Sequence, residues 1–436
     1  MKKILSVLLA VSLLALVACG ADAPQGAGAG PDAGQEVRIG LVYPMSGPMA
    51  EMGRQFTDSL EFAAYFINEA QTDPIFADIP FAATEGIPNL GGARLSLIMV
   101  DDQNSPEIGM SETERLITQE GVVAIIGTQS SAVTRTVSSA AERLETPMIA
   151  TNATALDLTD RGFEWFFRTT PHDGTFVTDT FRYIEVLNAE YGADIRTLGI
   201  VSEDTDFGAL LLRGFTAEAA ERGFEIVESI TYPANAPNLA AEVIRLNRAN
   251  PDTVLMASYS SDAILFIRTF AEQGFLPTAI IGQRAGFTAP EFLDSIGPQL
   301  AVGIATTSVW AEDLGDENPI VARLTEMYRE WTVQQGTPFH LEFPRAFAAA
   351  ITLADALNRA GSTDNVALQQ ALRETHIVNI GQLAVPWEGV QFDETGQNIL
   401  ASGIVMQVID GDYRTVWPHE RRAREPIIPL PAWDAR

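Results

Sequence analysis

Lysine is almost missing from this chain: Lys2 and Lys3 are its only two, and both precede the first apolar run. Twenty-eight basic residues face 57 acidic ones, a formal net charge of −29; past residue 3 only 26 arginines remain, and the balance is −31. Nucleic acid, itself a polyanion, is repelled wherever salt does not screen the field, so it is not an expected partner. A single cysteine, Cys19, excludes intrachain disulfides and any cysteine-based zinc cluster. Four histidines without short spacing do not make a His-rich metal site, and no cofactor is expected. The G-x-S-x-G elbow, the H-E-x-x-H helix and the P-loop lysine are also missing, which argues against an enzyme.

What is present begins with an address. Met1-Lys2-Lys3 leads into an apolar run, Ile4 to Ala18, whose 15 residues fall short of the roughly 20 that cross a bilayer as a helix. A basic start, an apolar middle and small residues at the end read as a secretory signal over residues 1–18. The run closes Leu16-Val17-Ala18-Cys19, similar to the lipobox of bacterial lipoproteins, in which the cysteine becomes the lipid-bearing first residue. Residues 19–36 are almost all Gly, Ala, Pro, Asp and Gln, too polar and small to offset ordering entropy, and read as a flexible tether reaching about 20–25 Å. Gly26, Gly28 and Gly30 imitate a phosphate-binding turn, but no strand precedes them. The expected location is outside the cytoplasm, at the membrane face, through a lipid on Cys19.

From Val37 the chain alternates strands and helices. Strands are predicted at Val37–Tyr43, Arg94–Val100, Val122–Ile126 and Pro147–Ala150, then at Thr197–Val201, Phe224–Ile230, Thr253–Ala257 and Ala279–Ile281. Between them lie amphipathic stretches such as Met52–Ala70, Ser131–Leu144, Thr178–Ala189 and Phe207–Arg222. Such alternation with near-continuous Val/Ile/Leu strands means parallel sheets covered on both faces. With 436 residues, 46% of them hydrophobic, two α/β lobes are expected rather than one very wide sheet. The late strands Ala401–Ile409 and Tyr413–Trp417 are expected to return and complete both sheets.

Ligands of open α/β sheets bind outside the carboxyl ends of the strands. After Val122–Ile126 comes Gly127-Thr128-Gln129-Ser130-Ser131 and then a helix, whose first N–H groups and serine hydroxyls suit a carboxylate. Pro147–Ala150 runs into Thr151-Asn152-Ala153-Thr154, again hydroxyl and amide side chains at a strand end. Capping alone also explains Ser131 and Thr154. In the second half Asp206 and Phe207 open a helix, Tyr259 follows Thr253–Ala257, Arg284 follows Ile280-Ile281-Gly282, and Met52 stands at the start of the first helix. Asp101-Asp102 at a strand end is a weak metal candidate in so acidic a chain. Lined this way, with no matched acid, base or nucleophile, the strand ends point to binding without chemistry.

At these residues the sequence resembles the type I periplasmic binding proteins that feed ABC importers, and within them the leucine/isoleucine/valine- and amide-binding group. The likeness runs through Ser46-Gly47-Pro48 to Gly53, Val100-Asp101-Asp102, Ala124-Ile125-Ile126-Gly127 into Ser130-Ser131, Phe166-Phe167-Arg168-Thr169-Thr170, Asp206-Phe207-Gly208 and Gly274-Phe275. The resemblance implies two doubly wound parallel-sheet lobes joined by a three-stranded hinge, the first from 37–171 with about 308–398, the second from 172–307 with about 399–436. It implies that Ser131 and Thr154 hold the carboxylate of a small ligand and that the Asn152 carbonyl receives its ammonium. Contacts from Phe207, Tyr259 and Met52, with Gln129 and Ser130 beside Ser131, complete the site. The implied partners are a small carboxylate-bearing solute, a branched-chain or related amino acid first, and an ABC permease.

Arg284 departs from that pattern, because amino-acid binders of the family place an acid there to meet the ligand ammonium. A cation against an ammonium in a dry cleft is strongly unfavourable. Three arrangements avoid it: the ligand is an amine-free organic or aromatic acid or an amide, or Asp206 receives the ammonium, or Arg284 points away. Two further classes share the architecture, a ligand-sensing module and a cleft enzyme. The export signal, the charge and the missing helix-turn-helix set aside a gene regulator of the same fold.

Overall fold

Buried strands flanked by amphipathic helices force a layered arrangement, and the chain builds two such layers. A computed structural model gives the fold of residues 36–436, apart from 48, 78, 80, 289, 317 and 379–382. The signal, Cys19 and residues 19–35 of the tether lie outside the described residues; Glu36 already belongs to a strand. The first sheet contains β1 (Glu36–Tyr43), β2 (Arg94–Asp101), β3 (Ala124–Gly127), β4 (Met148–Ala150) and β5 (Phe166–Arg168) in the order β2-β1-β3-β4-β5, with every pairing parallel. The second contains β6 (Thr197–Glu203), β7 (Glu225–Tyr232), β8 (Thr253–Ala257), β9 (Ala279–Gly282) and β10 (Ala305–Ser308), again in parallel register. A two-stranded ribbon of β11 (His376–Ile377) and β12 (Val390–Gln391) stands apart, and β13 (Ile404–Ile409) and β14 (Asp412–Trp417) close the second sheet, ordered β14-β13-β10-β9-β8-β6-β7.

The late strands do not share themselves between the sheets as their position predicts. Both join the second one, β13 antiparallel to β10 and β14 antiparallel to β13. The reason is local: Asp410 and Gly411 both have positive φ (55° and 85°) and form a two-residue hairpin turn, which keeps its two strands together. The first sheet is completed instead by β5, three buried residues too short to register as a strand pattern.

The helices Pro319–Gln335 and Phe343–Ala360, although they follow β10, pack on the first sheet. Aromatic contacts fix this return: Phe66 meets Phe347 edge-on at 5.2 Å, and Tyr328 stacks on Phe343 at 4.6 Å between centroids. The chain therefore crosses between the lobes after β5, after β10 and before β13. Arg168 ties the first and third crossings together. It is fully buried, and its guanidinium donates to Gln397 Oε1 (2.6 Å), to the carbonyls of Ala155 (2.6 Å) and Ala153 (3.3 Å), and to Thr159 Oγ1 (3.3 Å). Its own N–H and C=O bond to Gly396 and Asn398. A buried cation without a carboxylate partner persists because polar oxygens replace its hydration; burial still pulls its pKa down to about 10.

Replacing this side chain leaves several buried acceptors unpaired. Arg168→Met is expected to lower the unfolding free energy by about 3 kcal/mol, read as a fall in the denaturant midpoint at unchanged m; an unaltered midpoint refutes the role assigned to Arg168.

Candidate functional site

The carboxyl ends of both sheets face one cavity of about 710 Å³. From the first lobe come Met52, Gln129 and Asn152; from the second Arg284 and Thr288; from the crossing after β10, Ser308 to Glu312. The volume lies within the range of pockets that enclose a small molecule.

The first-lobe wall is a rigid polar shelf. Ser130, not Ser131, caps the helix Ser131–Arg143, accepting from the Val133 N–H at 3.4 Å, so Ser131 is the first helical residue. First-turn N–H groups have no intrahelical acceptor and favour an anion. Ser131 Oγ accepts from the Ala155 N–H at 3.3 Å, which joins the two loops and leaves the hydroxyl hydrogen free to donate. Asn152 Nδ2 donates to the Gln129 carbonyl at 3.0 Å, a second tie between the same loops. Two acceptors remain without a partner among the described residues, Gln129 Oε1 and Asn152 Oδ1. Beneath the shelf Tyr43 OH meets Thr151 Oγ1 at 2.6 Å and stacks on Phe56.

On the second lobe Phe207 and Tyr259 form a tilted pair, 5.2 Å between centroids, with Tyr259 half exposed at 49%. Their placement is set from below. Thr205 caps the helix that Asp206 and Phe207 open, and the Tyr259 N–H donates to Glu203 Oε1 at 2.7 Å. Asp206 lies at the helix start, and its side chain lies outside the described residues. Arg284 lines the cavity. Its guanidinium lies over the Phe176 ring at 4.5 Å. Gln283 beside it is held by Thr180 and Thr307 at 2.5 and 2.9 Å, and Gly286 runs so close to the Tyr259 strand end that a Cβ would fall 2.6 Å from the Ser258 carbonyl.

Several residues at the cavity were not legible in the sequence. Burial, the like charge of Arg345, and the opposite charges of Asp173 and Glu342 together set Arg284, drawing it down to about 10. Asp173, half-buried beside Arg284, is pushed up by burial and pulled back by Arg284 and Thr154. Arg345 and Glu342 precede or open the helix Phe343–Ala360 and reach the cavity because that helix crosses the first. Of the candidates, Met52, Gln129, Asn152 and Arg284 line the cavity, whereas Ser130, Ser131 and Thr154 form the shelf behind it and Phe207 with Tyr259 a neighbouring aromatic face. Asp101 spends its carboxylate on the Met45 and Gln103 N–H groups (2.8 and 2.9 Å), and no cluster of metal-ligating side chains exists among the described residues.

A family model described as periplasmic binding protein matches residues 36–412. The Leu/Ile/Val-binding protein homolog 7 of Brucella suis is 29% identical over 427 residues, 97% of this chain and 99% of that protein. An ABC transporter substrate-binding protein from Desulfitobacterium hafniense, solved with leucine, superposes with a TM-score of 0.68 at 21% identity, covering 87% of this chain and all of that one. One from Sphaerobacter thermophilus gives 0.70 at 21% identity, covering 87% and 96%. At such identities the solved structures establish the shared fold.

Glu203 beneath Tyr259 is buried and stands beside Asp262; burial, then Asp262, push its pKa up to about 7 against the pull of the Tyr259 N–H. A folded-state pKa above the ordinary 4.5 means a stabilising contribution present below that value and lost as pH rises through about 7. Glu203→Gln, which retains the acceptor for Tyr259, is expected to flatten the decline of stability between about pH 5 and pH 8 in denaturant titrations; an unchanged slope refutes it.

Proposed function

Because the chain belongs to the periplasmic binding protein family, we propose that it captures a small carboxylate-bearing solute between its lobes and hands it, unaltered, to an ABC permease. The observation that carries this reading is the cavity walled by the strand ends of both sheets. The first-turn N–H groups and the free Ser131 hydroxyl hydrogen offer donors to a carboxylate, and the unpaired Gln129 Oε1 and Asn152 Oδ1 suit an ammonium or amide donor. Both signs of recognition sit on one wall, as an amino acid requires. Branched-chain and related amino acids are the first candidates, in keeping with the names of the relatives and with the leucine in the Desulfitobacterium structure.

Asp173 bears on the conflict raised by Arg284. With an acid between Thr154 and the guanidinium, an ammonium on the Asn152 side does not face an uncompensated cation. Closure follows from differential contact: only a solute touching both walls favours the closed form over the open one, and the permease then reads the closed form. The two lobes of this motion are 37–171 with about 308–398, and 172–307 with about 399–436. A lipid on Cys19, with residues 19–35 as leash, holds the protein outside the cytoplasm at the membrane face.

Two measurements test this. Ser131→Ala combined with Thr154→Ala is expected to weaken amino-acid binding more than tenfold with the thermal midpoint of the free protein little changed; unaltered affinity places the pocket elsewhere. Cys19→Ser is expected to move the exported protein from the membrane fraction to the soluble one, and retention at the membrane refutes the anchor.

A further inference from the structure

The cavity is not symmetrical in what it offers. Gln129 and Asn152 line it from the polar shelf, and two arginines line it from opposite lobes. Arg284 comes from the turn after β9, and Arg345 from the first turn of the helix Phe343–Ala360 on the first lobe. Among the described residues the Arg284 guanidinium has no hydrogen-bond or ion-pair partner, and it lies over the face of Phe176 at 4.5 Å. Arg345 is buried to 2% exposure; Glu342 takes its Nε at 2.6 Å and also its Nη2, while Nη1 is enclosed without a partner. Its guanidinium lies 5.3 Å from the Phe56 ring, so Phe56 and Glu342 fix its direction.

Arg284 and Arg345 bring like charges into one cavity from opposite lobes, and like charges there repel. Glu342 pairs with Arg345 and Asp173 acts on Arg284 as an opposite charge; among the described residues neither carboxylate forms an ion pair with both arginines. An anionic group placed between the guanidiniums accepts from both walls and turns the repulsion into a closing force. An aliphatic side chain in that position leaves Arg284 and Arg345 Nη1 unpaired in a dry cavity, which is costly.

We propose that the space between Arg284 and Arg345 is a second anion subsite, so that the preferred cargo carries an acidic group remote from the carboxylate held on the shelf. This rests on the solute-binding reading above and narrows its cargo to acidic amino acids and small dicarboxylates. The cavity, at about 710 Å³, has room for two anchored ends.

The test is isothermal titration of the full mature chain with L-leucine, L-glutamate and glutarate at neutral pH. The expected result is at least tenfold tighter binding of glutamate or glutarate than of leucine. Arg284→Met, which retains packing on Phe176, is expected to bring the affinities within threefold of one another. Arg345→Gln is expected to do the same and serves as the second variant if the first fails to fold. Tighter binding of leucine by the wild type overturns the subsite and leaves the solute-binding reading standing. A preference for the acidic solutes that survives both substitutions overturns it too. Failure of all three solutes to bind overturns the subsite together with the reading on which it rests.

Discussion

Passages of chain between two lobes must be held in register for a cleft to exist at all, and a single buried guanidinium ties two of the three together. Arg168 ends β5, binds Gln397 on a neighbouring passage, and reaches the carbonyls of Ala153 and Ala155 at the foot of the polar shelf. Gln397 continues the network to the Thr170 carbonyl, and Asn398 to that of Thr169. A planar cation with five donors suits this place better than an ammonium, because its hydrogen bonds leave in fixed directions within one plane. The polar shelf and two of the crossings thus share one anchor. His172 next to it caps the following helix through Nδ1, and burial together with the Arg168 charge holds it well below its ordinary range, at about 4, so the cap is a neutral imidazole.

The two-lobed α/β organisation was legible because its signal is repetitive. Thr253–Ala257 is a strand with the bounds its pattern predicts, and the helices after β3 and β6 begin within one residue of where their caps place them. What escaped was short or set by distant packing. β5 has three residues and ends in arginine, and β10 is Ala-Thr-Thr-Ser, which reads as a turn. The helix Asp173–Tyr191 starts five residues ahead of Thr178 because its cap is a histidine and Gly174 sits in its first turn, both poor signals of a helix start.

The same division holds at the site. Gln129, Asn152 and Arg284 stand immediately after strands, where topology alone puts a ligand. Glu342 and Arg345 reach the cavity only because the helix Phe343–Ala360 lies across the helix Ala50–Asn68, nearly three hundred residues earlier in the chain. No local pattern announces such a meeting. The many exposed arginine–carboxylate pairs, such as Arg54–Glu51 and Arg196–Asp194, are a different use of the same residue and contribute little each in open water. Arginine matters here where water is scarce.

Every strand of the first sheet runs in one direction, and β1, at whose amino end Glu36 lies, is next to its centre. Glu36 therefore stands on the amino-terminal edge of that sheet. That edge lies on the far side of the sheet from the cavity at its carboxyl ends.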